Sequence, residues 1–255
     1  MRVSFLGTGT SVGVPRPACA CPVCRSEDPR NQRLRCAILV EYDGCSILVD
    51  TPPDLRTQVL RHRVEKLDAV LFTHGHADHL YGLDDLRCFC FRRQAPLPCY
   101  ADQPTLDRIL HVFDYAFAVP ARRGVPQLEL RPIDGPFSLA GRLIEPVPVG
   151  HGDTPVLAFR FGGFAYATDC SSIPPASMDR LRGLDTLVLD ALRHRPHPTH
   201  FNLEQALAVV ADLAPRRALF THIAHDLDHQ QTNALLPAGV ELAFDGLVLE
   251  CSCAK

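Results

Sequence analysis

The chain has 255 residues, of which 46% are hydrophobic and 22% are charged, and its formal net charge is −3. This composition is that of a soluble globular protein long enough to form one large domain over residues 1–255, and the slightly acidic charge argues against nucleic acid or an anionic membrane as a partner. No apolar run reaches the roughly eighteen residues of a membrane span, and Gly7 interrupts the first apolar run too early for a signal peptide, so we expect a cytoplasmic protein.

The first predicted strand, "RVSFLG", leads through a glycine-rich turn to three closely spaced cysteines. Cys19, Cys21 and Cys24 form the pattern C-x-C-x2-C in "PACACPVCRS". Three thiols at this spacing can chelate one zinc ion, with a fourth ligand from elsewhere in the chain. A redox site or three buried thiols are the alternative interpretations.

The chain contains eleven cysteines, an odd number that argues against complete disulfide pairing. A reducing compartment also does not preserve structural disulfides. Five further cysteines lie in or beside apolar segments and are predicted to fill the core, namely Cys36, Cys45, Cys88, Cys90 and Cys99. Cys251 and Cys253 are among the last five residues, where we expect fraying.

The remaining elements repeat one order in both halves of the chain. Strands "CAILVEY" and "SILVD" are followed by a helical pattern at Asp54–His62, strand "DAVLFT" and a second helical pattern at Gln103–Tyr115. Strands "RLIEPVPV", "VLAFRF", "FAYATD" and "TLVLDAL" then precede a helix at Asn202–Leu213 and strand "RALFTH". Asn202 and Gln205 form a capping-box pattern at the start of that helix. We predict an α/β fold in which two sheets pack face to face with helices outside, a four-layer αββα sandwich.

A cluster of histidines and an aspartate follows strand "DAVLFT" within "LFTHGHADHLYG". His74, His76, Asp78 and His79 have the pattern H-x-H-x-D-H, and the glycine and alanine spacers let the backbone turn tightly. Imidazole and carboxylate are ligands of divalent first-row metal ions. The H-x-H pair offers two nitrogens to one ion, whereas Asp78 and His79 face another direction. The pattern therefore predicts two ions, bridged by a carboxylate and a water and separated by about 3.5–4 Å.

Polar residues stand where six of the predicted strands end. These are Asp50, His74, His151, Asp169, Asp190 and His222. Because loops at strand ends are held by a rigid sheet, such side chains can converge on one edge of the sandwich.

The motif and its strand-end context resemble the metallo-β-lactamase fold superfamily, over nearly the whole length of the chain. The resemblance implies a set of seven metal ligands, in which His74, His76 and His151 hold one ion, Asp78, His79 and His222 hold the other, and Asp169 bridges them. It also implies that Asp50 supports the ligand loop without binding metal, and we predict a similar role for Asp190 at the edge of the site. The expected active-site cofactors are two divalent ions, manganese or zinc, with iron and nickel also compatible.

The cysteine cluster narrows the resemblance to one subfamily. The pattern C-x-C-x2-C, the opening "FLGTGTSVGVPRPACACPVC" and the ending "THIAHDLD…NALLPAGVELAFDGLVLE" resemble the carbon–phosphorus lyase accessory phosphodiesterases, which hydrolyse 5-phosphoribosyl 1,2-cyclic phosphate. In those enzymes the cysteines and a histidine three residues after the last catalytic ligand hold a structural zinc. The resemblance assigns that role to His225 and leaves His222 to the catalytic centre.

His200, in "PTHFNLEQAL", precedes the helix that begins after Asn202. In the related phosphodiesterases and tRNA-processing nucleases, a histidine at this place meets the phosphate as a general acid or a charge stabiliser. The alternative is a surface histidine beside a helix cap. We expect a hydroxide held by the two ions to attack phosphorus, with His200 assisting the leaving alkoxide and Asp78 orienting the nucleophile.

Three other functions compete with hydrolysis of a small, cyclic phosphodiester. A tRNA 3′-end endonuclease needs a basic arm, for which the Arg122–Arg123 stretch is too short in an acidic chain. A thioester or lactone hydrolase of the same fold needs no histidine at position 200. A zinc-dependent regulatory binding protein does not account for the complete ligand series.

A homodimer is compatible with the sequence, and five histidines without comparable context are assigned to the surface or to packing, namely His62, His111, His194, His197 and His229.

Overall fold

Two mixed β-sheets of seven strands each form the centre of the protein, over the part of the chain that the structure describes. The computed structural model describes residues 1–93, 95–118 and 124–251. The strands of the first sheet are β1 (Arg2–Gly7), β2 (Ala37–Tyr42), β3 (Cys45–Val49), β4 (Ala69–Leu71), β5 (Leu97–Ala101), β6 (Leu128–Pro132) and β14 (Val248–Glu250). The strands of the second sheet are β7 (Phe137–Leu139), β8 (Arg142–His151), β9 (Thr154–Phe161), β10 (Phe164–Ala167), β11 (Thr186–Asp190), β12 (Arg217–Thr221) and β13 (Val240–Leu242).

Seven α-helices accompany these strands in the described ranges. They are α1 (Leu55–Arg61), α2 (Ala77–Leu80), α3 (Arg87–Cys90), α4 (Gln103–Val112), α5 (Pro175–Arg180), α6 (Leu203–Leu213) and α7 (His229–Asn233). None of them is long and apolar enough to cross a membrane. The Arg122–Arg123 stretch and Cys253 lie outside the described residues.

The strand order places several parallel strands side by side in each sheet. The first sheet runs β14-β1-β2-β3-β4-β5-β6, and β3 to β6 pair in parallel. The second runs β13-β12-β11-β10-β9-β8-β7, and β10 to β13 pair in parallel. Because parallel neighbours end at the same edge of a sheet, the loops that follow β3, β4, β10, β11 and β12 lie close together.

Alternation of side chains along the strands divides the core into layers. In β2, Ile38 faces the second sheet, whereas Leu39 packs with the helices that cover the first sheet. In β11, Val188 faces the first sheet and Leu187 packs with α6. The layer between the sheets includes Val3, Phe5, Val40, Phe159, Phe161, Phe164, Tyr166 and Leu219. The predicted order of helix, sheet, sheet and helix is thereby confirmed.

Helix α6, which precedes strand β12, begins as predicted. Asn202 accepts a hydrogen bond from the Gln205 N–H at 2.8 Å, and the Gln205 side chain accepts one from the Asn202 N–H at 3.0 Å. This reciprocal capping box satisfies two N–H groups that have no partner within the helix. The capped end sets the direction in which the preceding loop, with His200, approaches the sheet edge.

The predicted burial of the cysteines is correct with one exception. Cys36, Cys45, Cys90 and Cys99 are buried, as expected for core fillers. Cys88 is exposed, so its assignment to the core is wrong. It lies on α3, a helix of only four residues, which is too short for the apolar pattern of the sequence to indicate which face is buried.

Candidate metal centre

The polar residues predicted from strand ends meet at one edge of the two sheets. All six are buried, and they follow or end β3, β4, β8, β10, β11 and β12, namely Asp50, His74, His151, Asp169, Asp190 and His222. The parallel arrangement of most of these strands brings their final residues to one place. The expected convergence is therefore observed.

Three of these residues have left-handed backbone conformations. The φ angles of Asp50, Asp169 and His222 are 66°, 54° and 57°. Such a conformation is unfavourable for a residue with a Cβ, on the order of 1 kcal/mol each. It persists where the surrounding structure imposes it, and such residues cluster at functional sites. Three of the eight described non-glycine residues with a positive φ thus lie at this edge, which agrees with a functional site there.

The first group of donors comprises His74, His76 and His151, whose nitrogen atoms lie within 4.8 Å of one another. His74 Nε2 lies 2.9 Å from His76 Nδ1. His151 Nδ1 donates to the Thr199 carbonyl oxygen at 2.7 Å. Because that carbonyl accepts the Nδ1 proton, the lone pair of a neutral His151 is on Nε2, which is available as a ligand.

The second group comprises Asp78, His79, Asp169 and His222, again within 4.8 Å. His79 Nδ1 donates to Asp50 Oδ2 at 2.7 Å, which fixes the orientation of the ring. Asp50 also accepts the Thr73 N–H at 2.8 Å and the Thr73 hydroxyl at 2.9 Å. Asp50 thus supports the H-x-H-x-D-H loop from beneath, in the position that the sequence suggested.

Asp169 lies between the two groups. Its Oδ1 is 3.0 Å from His79 Nε2, and its Oδ2 is 3.3 Å from His222 Nε2 and 3.9 Å from His74 Nε2. The Thr168 hydroxyl donates to Asp169 Oδ1 at 2.7 Å. This carboxylate is therefore within reach of both groups at once.

Several buried ring nitrogens at this point lack a hydrogen bond. Among the described residues, His79 Nε2 and both ring nitrogens of His222 have no partner in hydrogen-bonding geometry. Carboxylate oxygens of Asp78 and Asp169 nevertheless lie 3.0–3.6 Å from the Nε2 atoms. Buried polar groups are rarely left unsatisfied in this way. Donor atoms that face a common point without bonding one another fit a bound divalent cation.

The charges of the cluster fit a cation as well. Burial opposes ionisation of Asp78, but the adjacent His79 and His222 hold its pKa well below the ordinary value. Burial likewise opposes ionisation of Asp169, and His222 and His79 hold its pKa well below the ordinary value. Burial opposes protonation of His222, yet Asp169 and Asp78 raise its pKa to about 9. Two anionic carboxylates, the buried Asp169 and the partly exposed Asp78, thus lie among imidazoles, where a divalent ion could take the place of bound protons.

His200 lies against both donor groups and is buried. Its ring centroid is 4.6 Å from that of His151 and 4.6 Å from that of His222. His200 Nδ1 is 2.7 Å from Asp190 Oδ2, which also accepts the Cys170 N–H at 3.0 Å. Burial raises the pKa of Asp190 well above its ordinary value and lowers that of His200 to about 3. The interpretation of His200 as a surface histidine is excluded, and Asp190 orients it.

The cysteine cluster forms a separate group. Cys19, Cys21, Cys24 and His225 place their donor atoms within 4.8 Å of one another. His225 Nδ1 is 3.3 Å from Cys19 Sγ and 3.2 Å from Cys21 Sγ. Backbone N–H groups lower the pKa of Cys19 and of Cys21, whereas burial raises the pKa of Cys24 to about 11. Three thiols and one imidazole around a point are the donor set of a structural zinc site.

The sequence did not indicate several residues that position these groups. Thr73 donates a hydrogen bond to Asp50, and the Thr199 carbonyl accepts one from His151. No sequence motif predicts either contact. Arg33 is 1% exposed, and its guanidinium bonds the loop that carries His225. His197, assigned to the surface or to packing, has its ring centroid 5.1 Å from that of His200. The only signal for it in the sequence is the H-P-T-H spacing of the two histidines.

Comparison with known proteins agrees with the fold. Residues 46–223 match the family model of the β-lactamase superfamily domain. An octanoyltransferase of Porphyromonas gingivalis is 38% identical over 97% of the chain, which spans about half (51%) of that relative's length. The crystal structure of a new diphosphatase from the PhnP family has a TM-score of 0.93 and 48% identity, with 98% of both chains covered. The short form of human tRNase Z has a TM-score of 0.72 at 18% identity, with 99% of this chain and all (100%) of that chain covered, a likeness of fold alone. The chain therefore belongs to the β-lactamase superfamily domain family and has the metallo-β-lactamase fold.

Proposed function

We propose that this protein is a hydrolase, a metal-dependent phosphodiesterase for a small substrate such as the cyclic diester 5-phosphoribosyl 1,2-cyclic phosphate. The observation that carries the proposal is the contact of the His200–Asp190 pair with both donor groups, through His151 and His222. An oriented imidazole at this point can assist departure of an alkoxide from phosphorus. Hydrolysis of a thioester or lactone does not need that assistance from position 200.

Two divalent ions are assigned to the seven clustered donors, with manganese and zinc as the first choices and iron and nickel as others. Their ligands would be His74, His76 and His151 for one ion, Asp78, His79 and His222 for the other, with Asp169 between them. When bound, such ions supply Lewis acidity toward the phosphate and lower the pKa of water.

The chain's own residues orient the reaction. Asp50 and the Thr199 carbonyl direct the rings of His79 and His151 and fix which nitrogen carries the proton. Asp78 is partly exposed, so its carboxylate can accept a hydrogen bond from the attacking water and align it. His200 turns Nδ1 toward Asp190, whose pKa is raised by burial. When the protonated Asp190 donates to Nδ1, the proton of the neutral imidazole is on Nε2, where it is available to the leaving oxygen.

We assign one structural zinc ion to Cys19, Cys21, Cys24 and His225. His225 is three residues from His222, so one short loop contributes a donor to each centre. A zinc ion there would tie the N-terminal cysteine loop to the loop that positions His222. The expected result is a more rigid catalytic centre, because ligand-bearing loops are otherwise free to move.

A second candidate is hydrolysis of a diphosphate diester. It is favoured by the 48% identity to a protein described as a diphosphatase of the PhnP family. The bond broken is again between phosphorus and oxygen, and only the leaving group differs. A tRNA nuclease is supported by likeness of fold alone. The short basic stretch Arg122–Arg123, which is the sequence's candidate for a tRNA-binding arm, lies outside the described residues.

A substrate screen tests the proposal. The protein is freed of metal, supplied in turn with manganese, zinc, iron or nickel, and assayed on cyclic phosphodiesters, linear phosphodiesters, diphosphate diesters, thioesters and lactones. We expect turnover of a phosphorus ester, abolished by His74→Ala and retained by His111→Ala, because His111 is an exposed residue of α4. Turnover of a thioester or lactone alone would contradict the phosphodiesterase assignment.

A further inference from the structure

The geometry points to His197 as a hydrogen-bond donor on the leaving-group side of the site, selecting diphosphate diesters over diesters with a simple leaving group. The inference rests on the second candidate function, hydrolysis of a diphosphate diester, and it concerns a residue outside the predicted ligand set. It is carried by the position of the ring, by the hydrogen bonds that orient it and by the nitrogen that they leave free.

His197 is the outer neighbour of His200. The two ring centroids are 5.1 Å apart, and the planes are inclined by 50°. His200 is buried, whereas His197 is partly exposed, so His197 lies on the solvent side of His200. If His200 assists the leaving oxygen, then His197 faces the part of the leaving group beyond that oxygen.

The hydrogen bonds of Thr199 determine which nitrogen of His197 carries the proton. The Thr199 N–H donates to His197 Nδ1 at 3.3 Å, and the Thr199 hydroxyl lies 3.2 Å from the same nitrogen. An N–H group can only donate, so Nδ1 bears the lone pair and the neutral ring carries its proton on Nε2. Within the described residues, Nε2 of His197 has no hydrogen-bond partner. The ring therefore presents an unused donor.

Thr199 is itself held in place. Its carbonyl oxygen accepts the proton of His151 Nδ1 at 2.7 Å. Its methyl group packs against Gly152, where an added Cβ would come within 2.9 Å of Thr199 Cγ2. One residue thus orients His151 in the first donor group and His197 at its entrance. The donor at His197 is preorganised, so little conformational entropy is lost when it binds an acceptor.

The surroundings keep this imidazole neutral. Burial lowers the pKa of His197, and the nearby His200 and Arg193 lower it further. Arg193 donates to the carbonyl oxygens of Arg195 and Pro196, which holds its guanidinium against the backbone just before His197. A neutral N–H donor beside this cation suits phosphate oxygens.

A diphosphate diester supplies acceptors where His197 offers a donor. In its hydrolysis, water adds across the P–O–P linkage, so the attacked phosphorus gains the hydroxyl group and the bridging oxygen leaves with the second phosphate. That phosphate carries oxygen atoms next to the broken bond, within reach of a donor beyond His200. A p-nitrophenolate leaving group has no such oxygen next to the bond. A donor at His197 therefore favours diphosphate diesters over p-nitrophenyl esters.

The test compares two substrates and four proteins. The kcat/KM for ADP-ribose and for bis(p-nitrophenyl) phosphate is measured for the wild type, His197→Ala, His197→Gln and His194→Ala, with metal content determined for each. A hydrogen bond to a charged phosphate predicts a loss of about 10–100-fold on ADP-ribose in His197→Ala, and less than about threefold on bis(p-nitrophenyl) phosphate. Glutamine retains an N–H donor, so His197→Gln should recover most of the loss. His194, exposed on the same loop, serves as the control and should change neither rate.

Four results would overturn the inference. Equal losses on both substrates at unchanged metal content would mean that His197 only maintains the loop. No loss on ADP-ribose would remove it from substrate recognition. Turnover of bis(p-nitrophenyl) phosphate without turnover of ADP-ribose would reject diphosphates and leave the phosphodiesterase proposal intact. Absence of turnover on every phosphorus ester would instead reject both.

Discussion

Arg33 donates a hydrogen bond from its buried guanidinium to the carbonyl oxygen of Ala224 at 3.0 Å. A second one reaches the carbonyl oxygen of Leu227 at 2.8 Å, so the two bonds flank His225. The backbone of Arg33 also exchanges hydrogen bonds with Val14, in the segment that leads to the cysteines. Arg33 thus joins the two loops that form the candidate zinc site, through its guanidinium on one side and its backbone on the other.

Replacing Arg33 with methionine should lower the free energy of unfolding by about 3 kcal/mol or more, because buried carbonyl groups lose their donors. Urea unfolding of the metal-loaded protein measures the change. Arg2→Met is the matched control, since Arg2 is an exposed residue of β1 paired with Glu41, and such a pair contributes roughly 0–1 kcal/mol. Equal effects of the two substitutions would mean that the buried guanidinium does not hold these loops.

Each chain should contain two metal populations of different lability. Thiolate ligands bind zinc tightly, whereas the donor set of histidines and aspartates exchanges more readily. Mild chelation should therefore remove activity and the ions of the His/Asp centre while about one zinc ion per chain remains. Elemental analysis before and after chelation checks this. Reduced, folded protein that retains no zinc would remove the structural site.

Cys21→Ser should lower the melting temperature by at least about 5 °C, because the binding energy of a structural zinc ion contributes to folding. Cys88→Ser is the matched control, since Cys88 is an exposed thiol. Calorimetry and zinc analysis of both variants provide the comparison. If Cys21→Ser keeps its zinc and its melting temperature, the cysteines act as packing residues only.

The sequence predicts those parts of the site that are local along the chain. The H-x-H-x-D-H loop and the polar residues at strand ends are each visible within a few residues, and the two halves repeat one order of elements. The supports of the site are not local. Thr199 holds His151 across 48 positions, and Arg33 holds Ala224 across 191. No periodicity or motif connects residues so far apart, so Arg33 and His197 emerge only when the chain is folded.

Acid should destabilise the protein through His229, a buried histidine whose ring packs against Phe244. Burial, with Arg30 and Arg33 nearby, lowers its pKa from 6.5 to about 4. Between those values the unfolded chain binds the proton more readily, so this contribution to stability is complete above pH 6.5 and is lost as the pH falls toward 4. The contribution is on the order of 1–3 kcal/mol.

Thermal unfolding of His229→Gln across this pH range should therefore show a shallower loss of stability than the wild type. His111→Gln, which replaces an exposed histidine of α4, should keep the slope of the wild type. Parallel slopes for the wild type and His229→Gln would assign the acid sensitivity to other groups.

His200 can act either as a proton donor or as a simple contact with phosphate, and two substrates with different leaving groups distinguish these roles. A p-nitrophenolate leaves readily without a proton, but a sugar alkoxide does not. If His200 is a general acid, His200→Ala should slow hydrolysis of an alkyl or ribosyl phosphodiester by roughly 10²–10⁴-fold, and that of bis(p-nitrophenyl) phosphate much less. Asp190→Asn should reproduce part of this selectivity, since Asp190 holds His200 Nδ1 at 2.7 Å. Equal losses on both substrates at constant metal content would identify His200 as a phosphate contact, and unchanged rates on both would favour a thioesterase-like activity instead.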